Sequence, residues 1–385
     1  MNRRRSGGDG QPGGDSTLRG RAGRSLAPGT IGALAVLGAA VLWGVIGPVA
    51  NGLAARGIDP VTMAAWRAMI AGVGFAVIWL IQAMRGRTAD GPDLHGTGLE
   101  SGAAPITSPL RQPVVWLRLV ALGLIGVSVF YTALPAAIER GGITLAWVLL
   151  YTAPLWVLIG SVSLGWLRPT VRAVTLVLLA TGGVALTAAA GGEGVTVSAA
   201  AVAWGLAAGL SYASYYLVGR TLVETLGPIR TYAIAMIIGG LALVPFADLE
   251  WPTREVAGLL AVLALASTLL AYLLLGVGLT RISSTRASVI ATAEPVVATV
   301  MAVAVAGERP GPLAYVGGVL VVGSALAAGL GPLDGATVPK QAPYPVPTSD
   351  PSPDPSPKSG AQSACLLYTS PSPRDRTRYR MPSSA

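Results

Sequence analysis

Between Thr30 and Arg56 the chain carries 25 consecutive residues, Ile31 to Ala55, without a charged side chain. That length fits the roughly 17–25 residues with which an α-helix crosses the hydrocarbon of a bilayer. It exceeds the about 7–15 apolar residues of a signal-peptide core, so it reads as a spanning helix and not a cleaved leader. Comparable runs lie near 31–53, 60–83, 115–138, 143–166, 171–190, 197–219, 229–247, 256–279, 286–306 and 311–331. Backbone groups in lipid must be satisfied internally, so apolar runs this long are helices. The pattern predicts an all-α membrane protein with ten transmembrane helices.

Composition agrees. Of 385 residues, 52% are hydrophobic and 12% charged, against about 25% charged in an average soluble domain. A soluble domain of this size could not keep so much apolar surface from water. A disordered chain needs the opposite balance. The net charge of +9 raises nucleic-acid binding as an alternative, and the position of the charges answers it. Taken on alternate sides of the ten runs, one side holds Arg3, Arg4, Arg5, Arg19, Arg21, Arg24, Arg85, Arg87, Arg111, Arg118, Arg168, Arg172, Arg220, Arg230, Arg281 and Arg286. The other side holds only Arg56, Arg140, Arg254 and Arg309. A wrong number of helices would scramble this split. Basic loops face the cytoplasm, so the N-terminus is expected there, and an even number of spans returns the C-terminus to the same side. The expected location is a bacterial cytoplasmic membrane, with no nucleic-acid partner.

The chain also repeats. At an offset of 141 residues Tyr131 meets Tyr272, Arg140 meets Arg281, Thr144 meets Thr285, Pro154 meets Pro295, Pro169 meets Pro310 and Gly182 meets Gly323. Trp43-Gly44 resembles Trp204-Gly205 at an offset of 161, and the polar loop 85–113 accommodates the difference. Each half holds an odd number of helices, so the two halves insert with opposite orientation. Two inverted five-helix repeats are expected, 31–190 and 197–331, between a basic tail 1–30 and a Pro/Ser-rich tail 332–364. Inverted repeats place a substrate path at their interface in many secondary transporters.

Several chemistries lack their residues. One His (His95) and one Cys (Cys365) make neither an internal disulfide nor a Cys/His metal cluster. Both Lys, Lys340 and Lys358, follow proline, so no Gly-Lys-Ser/Thr phosphate loop exists in the chain. No cofactor, no metal and no catalytic residue is expected.

The candidate functional residues are intramembrane. Glu294 lies inside an apolar run, where an acid costs about 2.5–3.5 kcal/mol or more unless buried in protein, neutral, paired or facing water. It reads as a substrate or proton site, or else as a protonated packing residue. Arg67 either neutralises an anionic substrate group, pairs with Glu294, or snorkels to the headgroups. Pro154 and Pro295 occupy matching positions inside runs, where proline removes an N–H and frees the carbonyl four residues earlier, here those of Leu150 and Ala291. They read as paired hinges. Tyr131, Tyr151, Tyr212 and Tyr272, with Tyr215, Tyr216, Trp43, Trp147 and Trp204, line a central cavity in one reading and anchor helices at the interfaces in the other. Gly205 and Gly209 form a small-xxx-small pair for close packing, between the repeats or in a homodimer.

Leu42-Trp43-Gly44 in the first helix, Arg67 in the second, Ala293-Glu294-Pro295-Val296-Val297 and Gly307-Glu308-Arg309-Pro310 together resemble the EamA family of the drug/metabolite transporter superfamily. The resemblance covers about residues 31–331. It implies ten helices, cytoplasmic termini and alternating access for small metabolites, mostly in export or exchange. One departure stands out: Gly165-Trp166-Leu167-Arg168-Pro169 replaces the Gly-Glu often found in the first half, so that acidic position survives only at Glu308. The expected function is therefore secondary transport, the export of a small polar or amphipathic metabolite with protons as the coupling ion. Its partners are the bilayer, the metabolite and, in one arrangement, a second copy. A membrane-embedded enzyme acting on lipid-linked substrates and a non-transporting scaffold are the alternatives. Residues 365–385 stand apart: Cys365 to Asp375 and Arg380 to Ala385 resemble the in-frame translation of a sequencing adapter, and read as an artefact.

Overall fold

The computed structural model describes residues 27–88, 109–189, 197–306 and 311–333. The basic tail up to residue 26, most of the polar loop with His95, the Glu308-Arg309 turn and everything from residue 334, including the adapter-like end, lie outside the described residues. Among the described residues the structure is helical throughout, without a strand.

Among the described residues nine helical spans, one of them (Thr144–Ser163) broken part-way, have the length and composition of membrane spans. In chain order they are α1 (Pro28–Ala54), α2 (Pro60–Arg85), α3 (Pro113–Gly142), α4 (Thr144–Ser163), α5 (Val171–Ala189), α6 (Ala199–Leu226), α7 (Pro228–Phe246), α8 (Arg254–Leu279) and, after the ninth crossing, α10 (Pro312–Leu330). The remaining crossing, α9, consists of two half-helices, Ser284–Ala291 and Glu294–Ala306. Ten crossings thus form two five-helix repeats of opposite orientation. Five spans begin at a proline, where the missing N–H is one the first helical turn leaves unpaired anyway. These prolines set the helix starts that a hydropathy pattern alone places within a few residues.

Several boundaries differ from the expectation; the largest difference is in the sixth helix, which runs past 219 to Leu226 and takes in Arg220. The third helix was expected to stop at 138, before Glu139 and Arg140. It continues to Gly142, because Arg140 bonds back to the Ala136 carbonyl (3.1 Å) and to Glu139 (3.1 Å), so neither charge needs the helix to end. Gly142 then turns the chain with φ +83°, a left-handed conformation open to glycine, and α4 follows at once. The ninth helix starts at Ser284, so Arg286 lies inside it.

The two halves interlock. Helix α2 packs on α7, α5 on α10, α1 on α8 and the second half of α9, and α3 with α4 on α6. Close approach depends on glycine. A Cβ on Gly317 would lie 2.4 Å from the Gly183 carbonyl, so α5 and α10 touch backbone to backbone.

The C-terminal end of α10 is clamped by charge. Arg286 donates to the carbonyls of Ala328 (2.5 Å) and Gly329 (2.6 Å), and Arg172 to those of Ala327 (2.8 Å) and Pro332 (3.2 Å). Cations there bind carbonyls without a helical partner and meet the negative end of the helix dipole. In the first half Thr144 does the corresponding work with one hydroxyl, donating to Ala188 at the end of α5 (3.2 Å). Arg286→Ala is expected to cost about 1.5–3 kcal/mol, the range for a hydrogen bond to a charged group, and Thr144→Ala about 1 kcal/mol. Thermal unfolding of the detergent-solubilised protein measures both; equal losses would show that the Arg286 charge adds nothing.

Candidate functional site

The fourth helix of each half is broken at the same repeat position. Helix α4 is interrupted at Tyr151-Thr152, and α9 at Thr292-Ala293. Pro154 and Pro295 do not sit in the middle of intact helices, as the sequence pattern implied. Each occupies the first turn of the second half-helix, Ala153–Ser163 and Glu294–Ala306, where its missing N–H costs nothing. The break precedes the proline because the proline has no N–H for the carbonyl four residues earlier and its ring crowds that carbonyl; Thr152 and Thr292 themselves keep right-handed helical dihedrals. Threonine repairs the exposed end: Thr152 Oγ1 donates to the Leu149 carbonyl and Thr292 Oγ1 to that of Val289, each at 2.6 Å. The threonine hydroxyls bind the Leu149 and Val289 carbonyls; those of Leu150 and Ala291, four residues before each proline, are the ones that lack the proline N–H.

Glycines of the opposite half press on both breaks. A Cβ on Gly209 of α6 would lie 2.6 Å from the Leu149 carbonyl and 3.1 Å from that of Leu150. A Cβ on Gly44 of α1 would lie 2.8 Å from the Glu294 carbonyl and 2.6 Å from Val297 Cβ. Gly205 meets Leu149 similarly. The Gly205/Gly209 pair therefore serves contact between the repeats.

Glu294 is the first residue of its half-helix, at the positive end of that helix dipole. It is partly buried. Its polar neighbours are the hydroxyls of Tyr151 from α4 and Tyr212 from α6, with Arg67 of α2 within electrostatic range. The Tyr151 hydroxyl faces the carboxyl without forming a hydrogen bond to any protein group. Tyr212 accepts a hydrogen bond from Tyr216 (3.1 Å), so its own hydroxyl hydrogen is left to turn toward Glu294.

Arg67 takes a different set of partners. Its Nε donates to Thr268 Oγ1 of α8 at 3.0 Å. Its guanidinium stands over the ring of Tyr131, 4.6 Å from the centroid, a cation–π contact. It makes no ion pair with Glu294. Of the alternatives open in the sequence, headgroup snorkelling and pairing with Glu294 are thus not what the structure shows.

Between the two charged residues lies a connected set of aromatic rings. Tyr212 contacts Trp43 (6.1 Å), Phe130 (5.6 Å) and Tyr151 (6.5 Å); Tyr272 contacts Trp43 (5.5 Å), Tyr215 (4.8 Å) and Tyr232 (5.2 Å). Trp147 stacks on Tyr151 at 5.8 Å. All four tyrosines singled out in the sequence, Tyr131, Tyr151, Tyr212 and Tyr272, are buried here. Trp204 is not: it is 39% exposed on the outer surface. Its repeat partner Trp43 faces inward, and the shared Trp-Gly motif does not distinguish them. Phe130 and Tyr232 were missed, because a lone aromatic in an apolar run carries no pattern of its own.

The hydroxyls of Tyr131, Tyr151, Tyr215 and Tyr232 are buried without a hydrogen-bond partner in the protein. Each such group costs about 1–3 kcal/mol if nothing polar reaches it. Among the described residues no group of three His, Cys, Asp or Glu side chains is placed to hold a metal ion.

Comparison with known proteins agrees with this architecture. A curated relative, an uncharacterized transporter named YwfM from Bacillus subtilis (strain 168), is 27% identical over 308 residues, covering 77% of this chain and 95% of the relative. A solved structure described only as a crystal structure of a protein shares the fold, with a TM-score of 0.61 at 19% identity; the match covers 78% of this chain and 96% of that one. The EamA-like transporter family matches residues 30–189 and 199–330, one match to each five-helix repeat. The chain is thus a multi-pass membrane transporter, and it belongs to the EamA-like transporter family.

Proposed function

We propose that the protein exports a small polar or amphipathic metabolite across the bacterial cytoplasmic membrane by alternating access, with protons as the coupling ion. One observation carries the reading: Glu294 and Arg67 stand at the interface of the two halves as separate charged groups, bridged by tyrosines with unpartnered buried hydroxyls. A fold keeps unsatisfied polar groups where a polar ligand or water takes their place. The aromatic rings match the apolar part of such a ligand, and the two charges match polar ends. The broken helices α4 and α9 serve as pivots, since a chain already bent there changes direction without losing further helical hydrogen bonds. Glu294 carries the coupling proton, because a carboxyl in this setting gains and loses charge as the site opens to either side. Both termini lie in the cytoplasm, as the split of loop arginines indicates. A second copy of the chain joins as a homodimer partner through the outer surface.

An untargeted comparison of culture media tests the export reading. One metabolite is expected to rise when the protein is overexpressed and to fall when its gene is deleted. If no metabolite moves in opposite directions in the two strains, export is overturned.

A further inference from the structure

Helices α3 and α8 each contain a π-helical segment, Leu122–Val129 and Leu265–Leu270. Their last residues, 129 and 270, are separated by the same 141 residues that relate the two halves. Tyr131 and Tyr272 follow each segment at the same distance and enter the aromatic cluster. Wide turns of this kind cluster at functional sites, because each adds a residue and re-aims the side chains around it.

The two turns use their polar residues differently. In α3, Ser128 Oγ donates to the Gly239 carbonyl of α7 at 2.9 Å, a tie between packed helices. In α8, the hydroxyls of Ser267 and Thr268 both donate to the Leu263 carbonyl, at 2.6 and 3.2 Å. Thr268 has then spent its one proton, and its lone pair accepts from Arg67 Nε at 3.0 Å. Thr268 is fully buried, so its acceptor is held in one place. The repeat partner of Thr268 is Val127, which has no acceptor; the arginine contact belongs to one half only.

The consequence concerns where the Arg67 charge sits. Thr268 at Nε and the Tyr131 ring face hold the guanidinium in contacts that do not include an ion pair with Glu294. The carboxyl's own neighbours are Tyr151 of α4, Tyr212 and Tyr216 of α6, and Arg67 at longer range. Helices α1, α5 and α10 also pack on the half-helix that starts at Glu294. Tyr315 of α10 is exposed, and Arg172 of α5 is occupied on the α10 carbonyls. Arg67 is therefore the cation whose position decides whether Glu294 is ion-paired.

We propose that Thr268 is a positioning residue that keeps the Arg67 guanidinium on Tyr131 and off Glu294, leaving the carboxyl free to take up a proton. The proposal rests on the reading of Glu294 as the proton carrier. Without the Thr268 acceptor, Arg67 keeps only the weaker contact with the Tyr131 ring and swings to Glu294, where the pair holds the glutamate in its charged form.

Dicyclohexylcarbodiimide provides the test, because it modifies protonated carboxyls in apolar surroundings. Labelling of Glu294 in the purified full-length protein in lipid nanodiscs is followed by mass spectrometry at neutral pH. Thr268→Val is expected to lower the labelling rate by about tenfold, since an opposite charge at pairing distance displaces a carboxyl's titration by about one unit or more. Thr268→Ser keeps the acceptor and is expected to label at the wild-type rate. Thr268→Val combined with Arg67→Gln restores labelling, because the loss runs through the arginine. A merely structural role for Thr268 loosens the site and raises labelling. Unchanged or faster labelling in Thr268→Val overturns the proposal while leaving the proton role of Glu294 intact. A wild-type Glu294 that takes no label overturns the proton role itself, and the proposal with it.

Discussion

Glu294→Gln is expected to give a folded protein that no longer couples transport to protons. Glutamine has nearly the same shape, and its amide still meets the hydroxyls of Tyr151 and Tyr212. It also relieves the cost of an ionisable group inside the membrane, so the variant is expected to be at least as stable as the parent. What it lacks is a proton to exchange. In inverted membrane vesicles with an imposed pH gradient, uptake of the exported metabolite is expected to fall at least about tenfold, to the level seen without a gradient; tenfold corresponds to about 1.4 kcal/mol. Uptake at the parental rate, with its pH dependence preserved, would remove the proton role from Glu294.

Gly209→Ala carries the largest expected structural effect for the smallest chemical change. The added methyl would lie 2.6 Å from the Leu149 carbonyl, 2.9 Å from Thr152 Oγ1 and 3.1 Å from the Leu150 carbonyl. Two of these are backbone atoms and the third is the hydroxyl that repairs the break in α4, so none yields without moving the broken helix. A cost of about 1–3 kcal/mol follows, as for other overpacked sites. Gly318→Ala is the matched control: a Cβ there meets nothing within 4 Å, and alanine favours the helix by up to about 1 kcal/mol over glycine. Thermal unfolding in detergent, followed by loss of the monodisperse species, is expected to rank Gly209→Ala below the parent and Gly318→Ala at or above it. Equal midpoints for the two variants would mean that α6 does not bear on the break of α4.

Much of this architecture was legible from the sequence because a bilayer imposes local rules. Each span must satisfy its own backbone, so span number follows from apolar runs such as Ile31 to Ala55. The candidate site was legible in part for a similar reason: an acid such as Glu294 or a cation such as Arg67 is costly in an apolar helix and stands out residue by residue. Tyrosine is different. Tyr151 and Tyr212 face the site, whereas Trp204 faces outward, and no local energy term tells an inward aromatic from an outward one. The position of the helix breaks was one step further from view. Proline marks them, but the broken residues are Tyr151-Thr152 and Thr292-Ala293, and the threonine caps that close them depend on the folded geometry.

By itself, the sequence determined the helical class, the count of the spans, the inverted repeat and the two intramembrane charges. Each of these is dictated by hydration cost or by internal symmetry within a single segment. Only the tertiary structure decided that Arg67 lies on Thr268 and Tyr131 instead of on Glu294, and that Gly209 and Gly44 press on the breaks of the opposite half. Those contacts join residues far apart in the chain, as in the separation of 201 between Arg67 and Thr268. They depend on the wide turn in α8 and on close helix crossings, which follow from packing between halves and leave no periodic trace in either half alone.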